Sequence, residues 1–167
     1  VEGVFYVFDR QQGTVLASSD GGVSFKTAIT GLPKLETWQT ADLVSAPGAL
    51  RDLWLALPDG LLHIPGNDRP PKGVKGFTEA WLVALGKGAP QAPYASVYVW
   101  GKAYVNGAVV DGLFRSDDAG NSYQRICDNA HRYGRLLSLA GDPLEHGVVY
   151  IAPHGRGVLV GRPRSAA

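Results

Sequence analysis

The chain has 167 residues and a formal net charge of +1, from 16 basic and 15 acidic residues. That balance gives no electrostatic reason to expect nucleic acid or an anionic membrane as a partner, and the single cysteine, Cys127, excludes a disulfide framework or a cysteine-based metal centre. With 22 Gly, 11 Pro and 45% hydrophobic residues, including seven Tyr, five Phe and four Trp, the composition suits short strands joined by turns.

The predicted elements begin with Val4-Phe5-Tyr6-Val7-Phe8, the turn Asp9-Arg10-Gln11-Gln12-Gly13 and Thr14-Val15-Leu16-Ala17-Ser18. Alternating runs around a polar turn predict a hairpin. A third strand from Phe25 to Ile29 follows, Gly31-Leu32-Pro33 closes the unit, and residues 34–50 read as a loop with a poorly patterned strand at Leu43-Val44. The second unit is Asp52-Leu53-Trp54-Leu55-Ala56, a turn at Pro58-Asp59-Gly60, and Leu61-Leu62-His63-Ile64, ending in the proline-rich stretch 65–73. A third unit opens at Trp81-Leu82-Val83-Ala84-Leu85-Gly86 and continues through Ser96-Val97-Tyr98-Val99-Trp100, a turn near Asn106-Gly107, and Gly112-Leu113-Phe114-Arg115. The last comprises Leu136-Leu137-Ser138-Leu139, Val148-Val149-Tyr150-Ile151 and Val158-Leu159-Val160-Gly161. No apolar run approaches membrane-spanning length. Val1 opens directly into an alternating strand, so an export signal would have been removed or lie outside this sequence.

Superimposed on these units is a repeat. Residues 18–25 and 116–123 both read Ser-x-Asp-x-Gly-x-Ser-aromatic, with Ser18, Asp20, Gly22 and Phe25 matched by Ser116, Asp118, Gly120 and Tyr123. A separation of two periods of about 49 residues, with strands on either side, is the sign of β-propeller blades, and the motif is that of the Asp-box hairpin. Its Asp accepts backbone N–H groups within the turn, and its Gly takes a positive φ. The aromatic residue should begin the next strand on its buried face. Asp20 and Asp118 therefore read as turn residues; a calcium loop would need more oxygen ligands. The expected fold is all-β, one partial propeller domain over 1–167, with about three blades and a partial fourth at approximately 1–50, 51–80, 81–128 and 129–167. Propellers close with roughly 4 to 8 blades. Phe5, Phe8 and Tyr150, expected between blades, would face water unless the remaining blades of a parent protein or a second copy covered them.

Stretches such as Phe5-Tyr6-Val7-Phe8-Asp9, Leu85-Gly86-Lys87-Gly88-Ala89-Pro90, Val97-Tyr98-Val99-Trp100-Gly101 and Gly112-Leu113-Phe114-Arg115-Ser116-Asp117-Asp118-Ala119-Gly120 resemble the second propeller of the family 74 glycoside hydrolases, which degrade xyloglucan. The run Gly141-Asp142-Pro143 followed by Gly147-Val148-Val149-Tyr150-Ile151 and Gly155-Arg156-Gly157-Val158-Leu159 resembles the end of that catalytic module. The resemblance implies two facing propellers with a cleft between them and an inverting hydrolysis using one Asp from each. It also implies a secreted or periplasmic location. Both catalytic positions would fall upstream of Val1, so no catalytic residue is assigned in this chain. The second unit lacks the box, and Ala152-Pro153-His154 replaces a Gly-Thr-Asn type turn of the family.

Inverting hydrolysis needs two carboxyl groups roughly 6.5 to 9.5 Å apart. Asp20 and Asp118 are engaged by their turns, Asp9, Asp59, Asp111 and Asp142 sit at apparent turns, and Glu79, Asp128 and Glu145 show no pairing. Sugar binding is better supplied, since aromatic faces on propeller loops stack on pyranose rings. The candidates are Trp38, Trp81 and Trp100, with His131, Arg132 and Tyr133 in the polar loop 128–134. Trp54 and Trp100, inside apolar strands, also read as core, and Trp81 reads either way. His63, His146 and His154 have no ligand spacing, so neither a metal nor another cofactor is expected. The leading expectation is a propeller portion of a xyloglucan-active hydrolase, contributing scaffold and part of a cleft for xyloglucan or a related β-glucan. The alternative is a non-catalytic propeller fragment that binds carbohydrate or protein.

Overall fold

The computed structural model describes residues 3–66, 69–131 and 133–163. Among them every regular element is a strand, arranged in four antiparallel sheets. The first sheet is β1 (Phe5–Asp9), β2 (Thr14–Ser18) and β3 (Lys26–Ile29); the second is β4 (Asp42–Ser45), β5 (Leu53–Leu57), β6 (Gly60–Ile64) and β7 (Lys72–Gly73). The third comprises β8 (Phe77–Gly86), β9 (Ser96–Val105), β10 (Ala108–Ser116) and β11 (Gln124–Arg125), and the fourth β12 (Leu136–Gly141), β13 (Val149–Pro153) and β14 (Leu159–Gly161). Each sheet pairs strands in chain order, as a meander of hairpins requires.

Turn chemistry sets the hairpins. Asp9 accepts the Gln11 and Gln12 amides at 3.0 Å each, bending the chain between β1 and β2. Asn106 and Gly107 take φ values of 50° and 81°, the two positive values of a primed turn that matches the twist of β9 and β10.

The four sheets pack in series, and the alternation of side chains along a strand distributes them between successive cores. Leu53, Leu55 and Leu57 of β5 join Val15 and Phe8 against the first sheet, whereas Trp54 and Ala56 join Val83, Val97, Val99 and Phe114 against the third. From β9, Tyr98 and Trp100 turn the other way, toward Leu136, Val149 and Ile151 of the fourth sheet. Both faces of the middle sheets are therefore covered, which is why β5 and most of β9 are buried without interruption. Each fully buried Leu or Val contributes roughly 2 kcal/mol of transfer free energy.

Several boundaries differ from those read in the sequence. β4 pairs with β5, so Asp42–Ser45 belongs to the second sheet rather than to a unit ending at 50, and β8 starts at Phe77, four residues before the expected opening. A four-residue strand has too little alternation to be recognised, and the early part of β8 carries register shifts that break the period of two. Asp111 lies inside β10, opposite Lys102, not in a turn. Phe5 is half exposed, as expected of an uncovered inter-sheet residue, but Phe8 packs into the core between the first two sheets and Tyr150 is half-buried, its hydroxyl donating to Asp142 at 2.7 Å.

Candidate functional site

The two repeated turns have the same internal wiring. In the first, Ser18 donates to Asp20 at 2.7 Å and accepts the Gly22 amide at 2.9 Å, while Asp20 accepts the Ser24 amide at 3.0 Å and its hydroxyl at 2.6 Å. In the second, Ser116 donates to Asp118 at 2.8 Å and accepts the Gly120 amide at 2.9 Å, and Ser122 donates from its amide at 2.9 Å and from its hydroxyl at 2.6 Å. Gly22 and Gly120 have φ values of 91° and 83°. The Ser24 hydroxyl and amide, with Ser18, hold the Asp20 carboxyl far below the usual range. Desolvation opposes this at Asp118, but the Ser122 and Ser116 donors together outweigh it and its carboxyl is also lowered. These acids are committed to their turns. The terminal aromatics differ: Tyr123 packs edge-on against Phe77 at 4.8 Å, whereas Phe25 is 40% exposed and not on a buried face. Phe25 lies immediately before β3 of the first sheet, whose core is shared with the second sheet.

The turn at 116–123 follows the end of β10, which pairs with the beginning of β9 and so lies where β8 finishes. An open cleft of about 700 Å³ lies toward the other end of the sheets, around the beginnings of β4 and β12 and the bulged part of β8. Its walls include Thr40, Asp42, Trp81, Trp100, Asp111 and Arg135.

Trp81 and Trp100 thus share one site, their rings 5.8 Å apart and inclined at 52°. Trp100 is almost wholly buried and backs the cleft, while Trp81 is half-buried and contributes to its surface. The Trp81 Nε1 donates to Glu79 Oε2 at 3.2 Å, and Lys102 Nζ, paired with Glu79 Oε1 at 2.7 Å, stands 5.7 Å from the Trp81 ring centroid. Asp42 had no signal in the sequence, because its partner, the Val83 amide at 2.9 Å, lies 41 positions away. Burial pushes its carboxyl above the usual range, only partly offset by that amide. A desolvated carboxyl beside two indoles can accept or donate a hydrogen bond to a bound hydroxyl group.

The other candidates are dispersed. Trp38 is 77% exposed on the loop entering β4, two positions before Thr40 at the cleft wall. Its loop is fixed by the Leu35 amide on the Arg10 carbonyl at 2.8 Å and by Arg10 on the Gln39 carbonyl at 2.7 Å. Tyr133 lines a different groove, between the outer strands of the third and fourth sheets, and His131 is an exposed loop residue paired with Asp128 at 2.7 Å. Arg132 lies outside the described residues. Among the described residues no group of three or more His, Cys, Asp or Glu side chains is placed to hold a metal ion.

No family model matches the sequence. A Paenibacillus xyloglucanase is 38% identical over 166 residues, covering 95% of this chain and 15% of the relative. A xyloglucanase of Acetivibrio thermocellus is 36% identical over 164 residues, covering 96% and 18% respectively. The crystal structure of a GH74 enzyme from Niastella koreensis superposes with a TM-score of 0.84 at 31% identity, covering 99% of this chain and 24% of that one. The chain thus spans less than a quarter of the length of these relatives. In sequence and in fold it corresponds to a propeller segment of the family 74 glycoside hydrolases.

Proposed function

We propose that this chain supplies scaffold and one part of the polysaccharide cleft of a secreted or periplasmic xyloglucan-degrading hydrolase. The observation that carries the reading is the convergence of Trp81, Trp100, Asp42 and Asp111 on one open cleft, in a chain similar over 95% of its length to a xyloglucanase. Indole faces supply the apolar surface that a pyranose ring stacks on, and carboxyl groups beside them select its hydroxyls. Trp38, exposed on a fixed loop near the same wall, extends that surface. The repeated turns serve as Asp-box decoration that stabilises blades, and the uncovered outer faces of the first and fourth sheets meet the remaining blades of the parent protein. Inverting hydrolysis needs a facing pair of carboxyl groups around a water, and in this reading that pair comes from the rest of the enzyme.

The test pairs two measurements on the same chain. Titration with xyloglucan oligosaccharides should show binding that W81A abolishes, while xyloglucan incubated with the chain alone should release no reducing ends. Binding indifferent to W81A would remove this cleft from the reading. Turnover abolished by replacing one acidic residue of the chain would relocate the chemistry into it.

A further inference from the structure

Trp81 is placed by a defect in the ladder. β8 pairs Ala80 with Gly101 and then Leu82 with Trp100, so Trp81 is an extra residue without a cross-strand partner. A bulge of this kind turns a side chain away from the direction that the strand period dictates. The bulge needs Gly101 opposite it, because a Cβ there would stand 2.3 Å from the Glu79 carbonyl oxygen. Two side chains then fix what the backbone has aimed. Glu79 binds the indole nitrogen with one oxygen and the Lys102 ammonium with the other. Lys102, opposite Glu79 on one neighbour and Asp111 on the other, places its charge over the ring.

The geometry points to Glu79 and Lys102 as positioning residues that hold Trp81 as a one-faced platform for a neutral pyranose ring, an inference that rests on the polysaccharide reading above. With Lys102 over one face of the indole, at most one face is left for stacking, and the Trp100 ring stands 5.8 Å away at 52°. The ammonium is compensated by Glu79 at 2.7 Å, so the platform carries no net charge to attract an anionic sugar. Both side chains are partly exposed, at 40% and 35%, so exchanging them leaves the cores intact.

The experiment measures two properties of E79A, E79Q, K102M and W81A: affinity for a xyloglucan oligosaccharide by calorimetry, and the exciton couplet in circular dichroism that two indoles at 5.8 Å and 52° generate. E79A and K102M should each diminish the couplet and weaken binding roughly fivefold, the scale of one lost charge-assisted or cation–π contact. E79Q, which keeps an acceptor for the indole N–H, should recover most of both signals. If E79A retains the affinity while W81A abolishes binding, the positioning role is wrong and the cleft reading stands, whether or not the couplet has changed. If W81A also binds normally, the cleft reading itself has failed.

Discussion

At the scale of single residues, equivalent positions in the two repeated turns do not have equivalent surroundings. Gly22 and Gly120 share a positive φ, yet a Cβ on Gly22 would meet nothing within 4 Å, whereas one on Gly120 would come 2.7 Å from the Trp54 ring. G22A should therefore cost only the backbone strain, about 1 kcal/mol. G120A adds a steric conflict with a fully buried ring and should cost about 3 kcal/mol. Thermal melts of the two variants compare them directly, and equal losses would show that the second turn does not buttress Trp54. Asp42 gives a prediction of opposite sign. Its carboxyl is raised in the folded chain, so its contribution is fully present below the ordinary carboxylate pKa and is lost as pH rises through the raised value. At neutral pH, burial of this carboxyl opposes folding. D42N keeps an acceptor for the Val83 amide and removes that cost, so it should raise Tm at pH 7 and give no gain below about pH 4. A gain independent of pH would assign the effect to packing instead.

At the scale of elements, the β8 bulge depends on a glycine in the facing strand. G101A forces a Cβ into the Glu79 backbone and should destabilise by about 3 kcal/mol while also removing the Trp81–Trp100 couplet. If the couplet survives, the bulge does not aim the indole. The same element shows where reading the sequence stops. The repeated turns and the Asn106-Gly107 hairpin were legible because turns demand particular residue types at fixed offsets. The long apolar runs of β5 and β9 were legible as strands, but their division between two cores was not, since burial on both faces erases the polar half of the alternation. β8 was found only in part, because its extra residues shift the hydrophobic phase within one strand. Trp81 and Trp100 could be nominated as ring-binding residues from type alone, and their meeting required the register. Asp42 was invisible for a related reason: the hydrogen bond that its carboxylate accepts from the Val83 amide crosses between sheets.

At the scale of the whole molecule, four sheets in series have two outer faces. The first sheet leaves Phe5 and Val7 46–50% exposed, with Phe25 just before β3 at 40%, and the fourth leaves Val160 47% exposed, with Val158 just before β14 at 67%. Apolar surface of this kind seeks a cover. In isolation at low micromolar concentration the chain should self-associate, with a sedimentation mass near twice 17.7 kDa. When the neighbouring parts of the parent protein are present, these faces should lie within it and the association should vanish. A stable, well-folded monomer of the chain alone would show that three inter-sheet cores suffice without either.

The hydrogen-bonded turn at 116–123 and the aromatic cleft stand toward opposite ends of the same strands. Under the proposed polysaccharide reading, adaptation to heat and adaptation to a new sugar chain can then proceed on separate surfaces of one blade. Residues at one rim are free to be optimised for rigidity, while those at the other accommodate the desolvated carboxyl and bulged backbone of the cleft. Directed evolution of this fold has two libraries to draw on, and gains selected in one should add to gains selected in the other wherever the changed residues stand more than about 10 Å apart.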